Sequence, residues 1–231
     1  MNVKLVSITN TDFAGDNGVT MSPEELIVYI ARVSNPGNQL NTETSSKLLK
    51  YLIDNKHWSP FEMVDFTVEI KTSRAIAQQI LRHRSFSFQE FSQRYAKVSE
   101  FEPIEIRKQA EKNRQSSTEG FNPDIYWKDE NYEDHCWTAK DLIDKHLASG
   151  EVLYKQLLDA GVAKETARFI LPLSTQTTIY MKGSIRSWIH YLQIRCDGHT
   201  QKEHREIALK IKDIFVNLFP NVSQALDFKN N

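Results

Sequence analysis

Between residues 63 and 70 the apolar side chains Val64, Phe66, Val68 and Ile70 fall at every second position, with Met63, Asp65, Thr67 and Glu69 between them. A strand turns successive side chains to opposite faces, so this stretch predicts a half-buried strand in an antiparallel sheet. Such a strand needs cover on its apolar face, and the flanking sequence offers helices. Ser22, with Pro23 at the first position and Glu24 and Glu25 in the first turn, opens one that stops before Asn35-Pro36-Gly37. Leu48, Leu49, Leu52 and Ile53 give a second helix over 43–55, and Ser73 caps a third through AIAQQILRH. Ile185, Trp188, Ile189 and Leu192 share one side of a helix over 184–195.

Strands are expected at 3–8, at 101–106 (FEPIEI) and in LSTQTTIYM. A long helix is expected over about 133–160, with a possible break at Gly150 and a stop at Gly161, and a shorter helical piece over 164–170. Thr200 and Glu203 read as the capping box of a last helix that reaches Phe219, before Pro220. TDFAGDNG reads as a turn, and the polar, aperiodic stretch 107–131 as a loop or insertion. Helices dominate and no linker is visible. The expected fold is therefore α+β, an antiparallel-rich sheet packed with several helices, with 1–231 as a single catalytic domain.

Charge is distributed unevenly. The segment Arg82–Arg94, RHRSFSFQEFSQR, has a formal charge of +2 in a chain of net −1, so the remainder is −3. Arginine forks and serine hydroxyls together suit the oxygens of a phosphorylated small molecule. The plainer alternative is a solvated helix end and loop, in which Arg82 and Arg84 complement the helix dipole. That alternative leaves the serines and Arg94 unexplained. Arg32, Arg74, Arg168 and Arg195 lie among apolar neighbours, where an arginine needs a partner; each is open to a structural or a binding role.

The near-neutral balance, with a pI near 6.7, argues against a dedicated nucleic-acid or membrane-surface binder. No apolar run approaches a membrane span, and the N-terminus lacks the pattern of a signal peptide. Two cysteines, Cys136 and Cys196, form no framework, which fits a reducing cytoplasm. The seven histidines show no metal-ligand spacing, so no metal site is expected. Glycine-rich nucleotide cradles are absent, so a nucleotide would be held by side chains. Two other classes stay open. One is a nucleic-acid module stacking bases on Phe86, Phe88, Phe91 and Tyr95; the other is a cysteine-nucleophile enzyme using Cys196 beside Arg195.

Arg82-His83-Arg84, seven residues and then Ser92 resemble the signature of the flavin-dependent thymidylate synthases. ARVS (31–34), HWSPFEM (57–63), QQILRHR (78–84), EFSQRYAKVS (90–99), GVAKETARFILPLSTQT (161–177) and SIRSWIHYLQIRCDGHTQKE (184–203) are similar to segments of that family, in order. The resemblance implies a homotetramer with shared active sites. It also implies FAD reduced by NADPH, with methylenetetrahydrofolate as carbon donor in the conversion of dUMP to dTMP. By motif position, Arg82, His83, Arg84 and Glu90 would contact flavin or nucleotide. Gln79, Phe91, Ser92, Gln93, Arg94 and Arg168 would hold dUMP. Ser59, Ser184, Ile185, Arg186 and His190 would lie along FAD, as would His57 and Ser34. His190 stands where some members have asparagine. Arg195 would activate the uracil ring, and no cysteine nucleophile would be needed.

Overall fold

The computed structural model describes residues 1–12, 20–97, 100–131 and 133–229. In chain order the elements are strand β1 (Asn2–Ile8), helices α1 (Pro23–Ala31) and α2 (Ser45–Asp54), strand β2 (Asp65–Ser73), helix α3 (Arg74–Ile80) and strand β3 (Ser87–Glu90). Next come β4 (Arg107–Gln109), β5 (Ser117–Gly120), β6 (Asp124–Lys128), β7 (Asp134–Thr138), α4 (Ala139–Asp159) and α5 (Lys164–Ala167). Strand β8 (Gln176–Ser184), α6 (Ile185–Arg195), α7 (Lys202–Leu218) and α8 (Pro220–Ala225) complete the chain. The α+β class holds.

Two compact units divide these elements. One comprises Met1–Lys71, Ile76–Glu90 and Thr178–Asn231; the other comprises Thr72–Ala75 and Phe91–Thr177. In the first, the sheet order is β1-β2-β8-β3. Strands β1 and β2 are antiparallel (Val3 opposite Ile70, Leu5 opposite Val68), as are β3 and β8 (Phe88 opposite Met181). Phe66, Val68 and Ile70 are fully buried, as the alternation requires, and Val64 extends the series one step before the strand. Above them, α6 buries Ile185, Trp188, Ile189 and Leu192, and α7 buries Ile207, Ala208, Ile211 and Phe215. The Trp188 ring stacks on Phe66 at 4.5 Å and its Nε1 donates to the Phe66 carbonyl at 3.3 Å, so the largest core side chain buries no orphan donor. Ser22 and Glu25 form the capping box of α1. Glu24, in that first turn, is buried. Its carboxylate accepts from the Val222 amide at 2.7 Å and from Asn221 Nδ2 at 2.8 Å, at the start of α8. Burial pushes its pKa up, against the pull of those donors.

The second unit contains the hairpins β4–β5 and β6–β7 and the 21-residue helix α4, which passes straight through Gly150. Gly161, at a φ of 87°, supplies the left-handed turn beyond its C-terminus.

Several expectations need correction. The stretch 107–131 carries strands β4, β5 and β6 rather than a plain loop; β5 is exposed throughout and β6 nearly so, which removes the alternation that marks a half-buried strand. FEPIEI is not a strand. Phe101 makes one antiparallel bridge to Thr175, and Pro103 has no N–H with which to continue a ladder. The helix expected from 133 begins at Ala139, because 134–138 form β7. Helix α3 ends at Ile80, so Arg82 and Arg84 lie past its end. The Thr200–Glu203 capping box is absent: Thr200 Oγ1 donates to the Ile194 carbonyl at the end of α6, and Gln201 stands at the N-cap of α7. Pro220, read as a stop, opens α8. The predicted TDFAGDNG turn falls largely on 13–19, outside the described residues, as does the Val98-Ser99 end of the EFSQRYAKVS segment.

Candidate active site

Helix α6 organises the first unit's polar residues. Ser184 is its N-cap, its hydroxyl accepting from the Ser187 amide. Arg186 and His190, one turn apart, share a face. Opposite them, the 3-10 turn Ser59–Glu62 offers one carboxylate, and Glu62 accepts from Ser184 Oγ at 2.5 Å and Arg186 Nη1 at 2.8 Å. These contacts, the Ser184 bond foremost, pull the Glu62 pKa down. His190 meets the Trp58 ring edge-on at 5.0 Å; burial, then the Arg186 charge, lowers its pKa. Ser59 and His57 are exposed, and Ile185 is fully buried in the core. Glu62 is the residue that motif reading passed over: it lies inside the HWSPFEM segment, but only the fold brings its two oxygens to two donors 122 and 124 residues away.

At the other end of α6, Arg195 Nε donates to His83 Nε2 at 2.9 Å. His83 is the inward member of the triplet, with Arg82 and Arg84 exposed on either side. Its ring packs edge-on against Tyr191 at 4.9 Å. Burial and then the Arg195 charge push its pKa down to about 4. The imidazole is therefore neutral at physiological pH, and the contact that holds the Arg195 guanidinium carries no negative charge. Gln79 reaches His204 and Gln201. Glu90 closes β3, half-buried. Cys196 follows Arg195, but burial pushes its thiol up to about 11, so it is no thiolate at neutral pH.

In the second unit, Ser92 opens a turn in which its hydroxyl accepts from the Arg94 amide. Arg94 Nη2 lies 3.5 Å from Glu165 Oε2, Arg168 Nε donates to the Glu165 carbonyl at 3.2 Å, and Lys164 Nζ donates to the Tyr95 carbonyl at 2.9 Å. Three cations thus gather around one stretch of α5. Gln93 is 4% exposed, and its Nε2 has no partner among the described residues. Phe91 is 36% exposed.

Arg32 proves structural. Its buried guanidinium donates to the Asn38 and Asn41 carbonyls and to Thr44 Oγ1, tying α1 to α2 with no carboxylate partner among the described residues. Beside it a cavity of about 400 Å³ is lined by Arg32, Ser34, Asn38, Thr44 and Lys47. Asp129, Glu133 and His135 bring one potential ligand atom each within 4.8 Å of one another. Asp129 there accepts from the Asn131 and Glu133 amides, which accounts for the arrangement as a closed hairpin turn.

The family model described as thymidylate synthase complementing protein (Thy1) matches residues 19–221. The chain belongs to the flavin-dependent thymidylate synthase family. It is 51% identical over 229 residues, 99% of this chain and 100% of the relative, to the probable flavin-dependent thymidylate synthase of Paramecium bursaria Chlorella virus 1. It is 50% identical over 228 residues, with the same coverage, to the flavin-dependent thymidylate synthase of Synechocystis sp.. The solved structure of the UMP/dUMP methylase PolB from Streptomyces cacaoi has the same fold, with a TM-score of 0.75 at 24% identity, covering 99% of this chain and 95% of that one. Among the described residues no helix is long and apolar enough to cross a membrane.

Proposed function

We propose that this family member methylates dUMP to dTMP, with FAD as cofactor, NADPH as reductant and methylenetetrahydrofolate as carbon donor. It would work in the cytoplasm as a homotetramer whose subunits share active sites. The observation that carries the reading is Arg195, a permanent cation held by a neutral ring. With Nε occupied by His83, the Nη fork remains to meet a uracil carbonyl and to stabilise negative charge that develops on the ring.

The gathered Arg94, Arg168 and Lys164, with the Ser92 hydroxyl, supply donors and positive charge for a phosphate dianion, and Nε2 of buried Gln93, unpartnered among the described residues, is a donor suited to a ligand acceptor. Gln79, Arg82, Glu90 and Phe91 complete the nucleotide's contacts in this reading. Phosphate binding away from the reacting carbon fixes the ring's orientation, which lowers the barrier. The residues on α6 fit a flavin: Ser184, Arg186 and His190 combine a hydroxyl, a guanidinium and a neutral imidazole beside the Trp58 ring. Together with Ser59, Ile185, Arg82, His83 and Arg84, and with His57 and Ser34 further along, they would hold it. The flavin, when bound, supplies hydride transfer. The raised Cys196 thiol is in keeping with a reaction that needs no cysteine nucleophile.

The test is anaerobic turnover of the purified protein with dUMP, NADPH and methylenetetrahydrofolate, with dTMP detected directly. The protein should be yellow or take up added FAD. Arg195→Ala should abolish dTMP formation while NADPH oxidation remains measurable. A colourless protein that binds no FAD, or undiminished dTMP formation by the variant, overturns the reading.

A further inference from the structure

His204 lies on the apolar face of α7 with Ile207, Ala208 and Ile211, and it is fully buried. A histidine there is ordinarily a satisfied core residue, so its partners decide what it does. Tyr191 Oη, itself 2% exposed, is 3.1 Å from Nε2, and Gln79 Oε1 is 3.3 Å from Nδ1. Gln79 Nε2 in turn donates to Gln201 Oε1 at 2.6 Å.

The direction of these bonds follows from the chemistry of the groups. Burial, then the Arg195 charge, pushes the His204 pKa down to about 3, so the ring is neutral and one of its nitrogens carries a proton. A carboxamide oxygen only accepts, so that proton is on Nδ1. Nε2 then accepts a hydrogen bond from the Tyr191 hydroxyl, and burial keeps that phenol protonated. Donation runs outward in one sense, from Tyr191 through His204 to Gln79. Turning the Gln79 amide over would set its N–H against Nδ1–H and leave a buried donor unmatched, at a cost of about 1–3 kcal/mol.

We propose that His204, backed by Tyr191, is a positioning residue of the nucleotide site, locking the Gln79 carboxamide so that its NH2 group faces outward to an acceptor oxygen of dUMP. The proposal rests on the reading above that Gln79 binds dUMP.

Three substitutions at one position separate positioning from packing. His204→Asn places an amide nitrogen near the Nδ1 position and keeps a donor toward Gln79. His204→Gln places its amide near the Nε2 position and serves Tyr191 only, and His204→Leu fills the space without either bond. The KM for dUMP should stay within about threefold of the parent in the Asn variant and rise about tenfold in the Gln and Leu variants, the loss of one oriented hydrogen bond. The kcat at saturating dUMP should stay within about threefold in all three. Equal KM values for the Asn and Gln variants, which needs no result from a Leu variant that fails to fold, overturn the proposal.

Gln79→Ala keeps the two ideas apart. If it leaves the dUMP KM unchanged, Gln79 is not a nucleotide residue and the underlying reading of that residue fails. If it raises KM while His204→Gln does not, the positioning role alone fails. Combining Gln79→Ala with His204→Gln should add nothing to the KM effect of Gln79→Ala alone, and additive losses refute the lock.

Discussion

Acidification tests how His83 holds Arg195. Its ring titrates at about 4 in the folded chain, against roughly 6.5 in an unfolded one. Between those values the unfolded chain binds a proton that the folded chain refuses, so stability is fully present above the upper value and drains away as pH falls toward the lower. Going from pH 7 to pH 5, the full linkage is roughly 2 kcal/mol. His83 is only half-buried, and screening by solvent brings the expectation to about 1–1.5 kcal/mol. The measurement is urea unfolding followed by tryptophan fluorescence at both pH values, for the parent and for His83→Gln. Glutamine offers Arg195 an acceptor oxygen but does not titrate. The parent should lose about 1–1.5 kcal/mol more than the variant on acidification, since other titrating groups, Glu24 among them, cancel in the difference. Equal losses would show that His83 is not held neutral by its surroundings, and the account of Arg195 held by an uncharged ring would go with it.

Gly183→Ala should destabilise the chain by about 1–3 kcal/mol, because a methyl there would lie 2.4 Å from two Phe86 ring atoms and that ring is wedged against Trp188 at 4.6 Å; an unchanged melting temperature refutes this. Cys196→Ala should retain most dTMP formation, and complete loss would restore the thiol as a nucleophile. Arg94→Lys should raise the KM for dUMP about tenfold with little change in kcat, because a point charge does not reproduce the fork; an equal fall in kcat at saturating dUMP would place Arg94 in the chemical step instead.

Much of the fold could be read where one local pattern had one consequence. The 64–70 alternation, the helix start at Ser22-Pro23 and the i, i+3, i+4, i+7 series of α6 each appear in the structure as expected. What escaped reading had no local periodicity or had a competing partner. The ribbons β4–β5 and β6–β7 expose both faces, so no alternation marks them. Thr200 satisfies α6 and not α7, a choice invisible in a capping motif. In the candidate site, motif spacing points to Arg186, Arg195 and Gln79, yet the groups that hold them came from elsewhere: Glu62 is 124 residues from Arg186, His83 is 112 from Arg195, and His204 is 125 from Gln79. Contacts at such separations are set by the fold as a whole, which one sequence read locally does not encode.

The joint between Glu24 and the first turn of α8 has a kinetic corollary. Its two halves are 197 and 198 residues apart, so a chain emerging from the ribosome carries an acid destined for burial long before its donors exist. The first unit can therefore close only after residue 222 has been made, and a chain cut before Asn221 would strand that acid in the interior. Losing Asn221 and Val222 should therefore behave like a core lesion.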